Sequence, residues 1–70
     1  MNIDHLVTMA NQIGDFFKSY PDQEKAKEEI ANHLKKFWAP PMRSQIKDHL
    51  EKKQGKGLEL IVADAIKKHL

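Results

Sequence analysis

HLKKFWAPPMR, residues 33–43, decides how the chain divides. It holds the only tryptophan, the only arginine and two of the three prolines. Each proline ring removes a backbone donor and restricts the residue before it, so Pro40-Pro41 cannot lie inside a helix. One helix must end here, and Pro41 suits the first position of another.

On either side of this corner the apolar residues recur at three- and four-residue spacings, the pattern of amphipathic helices. Upstream, Ile3, Leu6, Val7, Ala10, Ile13 and Phe17 form a stripe flanked by Phe16 and Tyr20, which predicts a helix over about 3–19. Gly14 lies within it and costs roughly 1 kcal/mol relative to alanine, so another helix should pack closely there. Pro21 suits a first turn, and Asp22 and Glu24 favour a helix start through the macrodipole. The second helix should cover about 21–38, with Ala26, Ile30, Leu34 and Phe37 facing inward and Ala31 and Trp38 at the edges. Downstream, Met42, Ile46 and Leu50 give a thinner stripe over about 41–53, closed by Gly55 as a left-handed cap. Leu58, Ile61, Val62, Ala65, Ile66 and Leu70 mark a fourth helix over about 58–69.

The fold expected is all-α: one small domain of about four short helices, arranged as a bundle or an orthogonal array. Seventy residues bury only about 60% of the surface that the unfolded chain exposes, so the core is marginal. A core of this size can hardly enclose Phe16, Phe17, Phe37 and Trp38 together.

Composition narrows the function. There is no cysteine, which fits a reducing compartment. The N-terminal segment lacks a signal-peptide pattern, and no run approaches the ~20 apolar residues of a membrane span, so a soluble cytoplasmic chain is expected. Residues 1–32 carry three lysines against six acids, net −3; residues 33–70 carry nine basic residues against four acids, net +5. Such polarity speaks to partners rather than to fold.

His5, His33, His49 and His69 form no HxxxH pair, and Ser19 and Ser44 stand in no nucleophile motif. Gly55-Lys56-Gly57 is too short for a phosphate loop. No catalytic, cofactor-binding or metal-binding residue is assigned, and an enzyme acting alone is not expected. A small basic nucleic-acid-binding or other interaction module is the alternative, with Arg43, Lys47, Lys52 and Lys53 on the third helix. Asp48 and Glu51 interrupt that face, and arginine occurs once, so nucleic-acid binding is not favoured.

Three segments, LVTMANQIGDFF (6–17), HLKKFWAPPMR (33–43) and GLELIVADAIKKHL (57–70), resemble the delta subunit of cytoplasmic NAD-dependent formate dehydrogenases, the FdsD family. The resemblance spans nearly the whole chain. Its most specific parts are Met9-Ala10-Asn11-Gln12-Ile13 and Lys36-Phe37-Trp38-x-Pro40-x-Met42-Arg43. The chain departs at Ala39 and Pro41, where the family often has Asp and Arg. The resemblance implies a non-catalytic accessory subunit bound to the catalytic alpha subunit and supporting assembly, stability or cofactor loading. The larger subunits would carry the molybdenum or tungsten pterin, the iron–sulfur clusters, FMN and the NAD site. No membrane partner is expected from the residues themselves, since the basic ones do not oppose one large apolar face.

The residues themselves point to where a partner would bind. Trp, Met and Arg are enriched at interfaces, and Trp38, Pro40, Met42 and Arg43 exceed what a turn requires. They are assigned as the anchor, with Phe37 adjoining them and Lys35 and Lys36 as a basic rim that speeds association with an acidic patch.

Overall fold

A computed structural model describes residues 2–70 as four helices: α1 (Ile3–Phe17), α2 (Gln23–Phe37), α3 (Pro40–Lys53) and α4 (Leu60–His69). No strand occurs among the described residues. The chain is all-α, as its periodicity predicts. Leu6, Ala10, Leu34, Trp38, Ile46, Val62 and Ile66 form the central cluster, so every helix contributes. α2 packs most extensively against α4 and then α1, while α3 supplies a single buried residue, Ile46.

Local side-chain caps start the first two helices. The Asn2 side chain accepts from the Asp4 N–H at 2.8 Å. Pro21 stays outside α2 rather than in its first turn; Asp22 is the N-cap, accepting from the Glu24 and Lys25 N–H groups at 3.0 and 3.2 Å. Gln23 Nε2 donates back to the Lys18 and Tyr20 carbonyls, sealing the turn. These contacts end α1 at Phe17, two residues short of the expected boundary. α4 starts at Leu60 instead of Leu58 and has no side-chain cap of its own. Asn11 supplies the substitute: its Oδ1 accepts from the Glu59 N–H and its Nδ2 donates to the Gly57 carbonyl, both at 2.9 Å. The third helix begins at Pro40, one residue earlier than predicted, because the first turn of a helix has no intrahelical use for the N–H groups that both prolines lack. Its C-cap is likewise one residue early: Gln54 takes the left-handed conformation (φ 57°, ψ 27°), and Gly55 continues it at φ 70°.

The close approach predicted at Gly14 occurs against α4. A Cβ there would collide with Cγ2 of Val62, a fully buried side chain. At the edge of this seam Lys18 lies 3.1 Å from Asp15 and holds that carboxyl below its ordinary value. Burial, and then the neighbouring Asp15, push Glu59 above its own.

One inward assignment is reversed. Trp38, expected at the edge of the α2 stripe, is only 5% exposed and belongs to the core; Phe37, expected inside, is 70% exposed. The buried row of α2 advances in steps of four through Ala26, Ile30, Leu34 and Trp38, so it drifts away from Phe37. Trp38 has also left the helix, with φ −92° and ψ 134°.

Two outcomes follow. Trp38→Ala should remove roughly 3–5 kcal/mol of stability, lowering the melting temperature by more than about 12 °C in a domain this small, whereas Phe37→Ala should leave it nearly unchanged. Gly14→Ala should destabilise the fold by about 1–2 kcal/mol, because overpacking against a stiff valine outweighs the ~1 kcal/mol gained in helix propensity. Adding Val62→Ala should recover part of that loss in a double-mutant cycle, read by thermal or urea unfolding.

Candidate protein-docking site

α1 presents two faces. Leu6, Ala10 and Gly14 are buried inside the domain. Met9, Gln12, Ile13, Phe16 and Phe17, spaced three and one apart, form an adjacent face that no other helix covers completely. His33 and Phe37 from α2, Trp38 just beyond its end and Met42 from α3 oppose it, enclosing an open groove of about 510 Å³. Met9, Ile13 and Met42 form its floor and pack against the core cluster.

The rim carries the exposed aromatics. Phe16 is 72% exposed and Phe37 is 70% exposed. Neither ring stands alone. Phe16 meets Phe17 edge-on, with centroids 4.9 Å apart and planes at 89°, and Phe17 contacts Tyr20 at 5.4 Å. Phe37 lies 4.7 Å from the His33 ring one helical turn earlier. These contacts limit rotamer freedom before any partner arrives, which lowers the entropic cost of docking. Leu60, 85% exposed, stands outside this groove at the start of α4.

The corner divides the residues assigned from sequence between two surfaces. Phe37, Trp38 and Met42 line the apolar groove, Trp38 as part of its wall rather than as a projecting anchor. Lys35, Pro40 and Arg43 line a second groove of about 390 Å³ with Ser44, Lys47 and Leu70. Lys36 is exposed and lines neither. Arg43 is not a free anchor: its Nη1 donates to the Lys35 carbonyl at 2.9 Å, tying α3 to the last turn of α2. The α1 wall was not among the assigned residues. Its signal was the excess of apolar side chains at the end of that helix, where Phe16 flanks a stripe already completed by Ile13 and Phe17.

The donor set does not favour a metal or cluster. The chain has no cysteine for thiolate ligation, and no group of three or more His, Asp or Glu side chains among the described residues lies close enough to hold an ion. No helix among those residues is long and apolar enough to cross a membrane. The arrangement is suited to burying apolar side chains of another molecule.

Compared with known proteins, residues 5–66 match the family model described as the NADH-dependent formate dehydrogenase delta subunit FdsD. No curated protein and no solved structure matches the chain.

Proposed function

Since the chain belongs to the FdsD family of formate dehydrogenase delta subunits, we propose that it docks through its α1–α2 groove on the large catalytic alpha subunit and supports assembly or cofactor loading there. The observation that carries this reading is the pair of braced, solvent-facing phenylalanines over a floor continuous with the core. Removing one phenylalanine side chain from water is worth roughly 1.5–3 kcal/mol, a large amount for a domain with a small core of its own. Docking would therefore stabilise the chain as well as hold the complex together.

In this reading the chain supplies surface rather than chemistry. The metal-bearing pterin, the iron–sulfur clusters, FMN and the NAD site are held by the larger subunits, and the enzyme works in the cytoplasm. The delta subunit would act by holding its partner in a conformation able to receive or retain its cofactor.

The double variant Phe16→Ser/Phe37→Ser should keep its helical circular dichroism and its melting temperature within a few degrees. Its affinity for the alpha subunit should fall at least ~100-fold, following the loss of about 3 kcal/mol or more of apolar burial, as read by co-purification and titration. Unchanged affinity would remove the groove from the interface. Concentration-dependent dimerisation of the isolated wild-type chain, abolished by the same variant, would assign the groove to a second copy instead.

A further inference from the structure

The second groove carries a charge pattern that the local fold does not use up. Lys35, Arg43 and Lys47 converge on it, and none of its lining side chains is acidic. Among the described residues the ion pairs involve Lys18, Lys25, Lys27, Lys52 and Lys68, and take up Asp15, Glu24, Glu29, Asp48 and Asp64. Among the described residues no side-chain carboxylate pairs with Lys35, Arg43 or Lys47.

Helix electrostatics account for only part of this cluster. Lys35 lies in the last turn of α2, where a cation is favoured, but Arg43 lies near the start of α3, where it is not. Its hydrogen bond to the Lys35 carbonyl occupies one of five guanidinium donors. Lys47 Nζ donates to the Leu70 main-chain oxygen at 3.1 Å, which fixes the ammonium at the groove wall and leaves Lys35 and Arg43 as the cations turned to an incoming group.

We propose that this groove receives an aspartate or glutamate side chain from an acidic protein segment. A carboxylate suits the remaining fork of Arg43, which can meet both oxygens, with Lys35 and Lys47 beside it. Phosphate is less well served. Helix N-termini bind phosphate through free N–H groups, yet Pro40 and Pro41 have none, and the Met42 and Arg43 N–H groups already donate to the Ala39 carbonyl at 2.9 and 3.2 Å. A nucleic-acid backbone also needs a continuous cationic face, and Asp48 and Glu51 break the one on α3. The α2–α3 corner separates this groove from the apolar one, so one partner segment can place apolar side chains on one side and a carboxylate on the other. The inference rests on the docking proposed above only for the identity of the protein that carries the segment.

Recognition can be read on the isolated full-length chain, with a hexaglutamate peptide as probe and an oligo-deoxythymidine of similar charge as counter-probe, by ¹⁵N–¹H NMR titration. The peptide should shift the amides around residues 35, 43, 44 and 47 most. Arg43→Gln/Lys47→Gln should weaken its binding at least tenfold, while Lys53→Gln/Lys56→Gln, which removes equal charge elsewhere, should not. If loss of the Arg43 tie unfolds the double variant, Lys35→Gln, which keeps the accepting carbonyl, should still weaken binding several-fold. Shifts scattered over all lysines, or binding indifferent to these substitutions, would overturn the proposal. Tighter binding of the oligonucleotide, falling steeply with salt, would overturn it in favour of nucleic acid. Localised peptide binding alongside failure to bind the alpha subunit would leave this inference standing and remove the docking reading alone.

Discussion

The steric demand of Pro40 on Ala39 is the constraint on which the rest of the structure depends. A residue before proline is driven toward extended backbone, and Ala39 adopts φ −64°, ψ 150°. Trp38 is extended as well, so the helix ends at Phe37 and the next side chain enters the core. The indole then joins Leu34, Ile46 and Val62 in the central cluster. Phe37, the last helical residue, is left on the outer side, where His33 braces it. The same prolines start α3 without wasting N–H groups, and Arg43, one turn on, closes the corner against the α2 carbonyl at Lys35. One turn therefore supplies a core residue, an exposed aromatic ring and the wall between two grooves.

The two grooves offer different chemistry. On the α1 side the surface is apolar and aromatic, continuous with the core floor. On the α3 side it is cationic. Apolar burial supplies a driving force that grows with area, while charge complementarity chiefly speeds encounter and fixes register. For a small domain with a marginal core, a partner that covered the exposed rings would also stabilise the fold. The −3 and +5 halves of the sequence are consistent with this division: three of the six acids of the first half, Asp15, Glu24 and Glu29, pair with nearby lysines, and the basic excess lies in the second half.

The fold was legible in the sequence because its stripes are strongly periodic and its turns are marked by proline and glycine. Gly14 was readable as a close contact for the same reason: a helix interior tolerates glycine at a cost, which packing against Val62 repays. Boundaries moved by one or two residues where side chains settled them, as with Asp22 capping α2 and Asn11 standing in for a cap at α4. The exchange of Phe37 and Trp38 was not legible. Helical spacing assumes that the helix continues, and at position 38 it does not. The candidate site was half visible. Its α2–α3 side was marked by unusual composition, whereas its α1 wall depends on which of two apolar faces the other helices cover, a property of packing that spacing alone does not determine.

The sole tryptophan makes the central claim directly measurable. Acrylamide quenching of its fluorescence in the free chain reports whether the indole is a core residue. Blue-shifted emission and weak quenching, both lost when the chain is unfolded in urea, are what the account predicts. Red-shifted, freely quenched emission from the folded chain would contradict it, returning Trp38 to the surface and undoing the inward turn at Pro40.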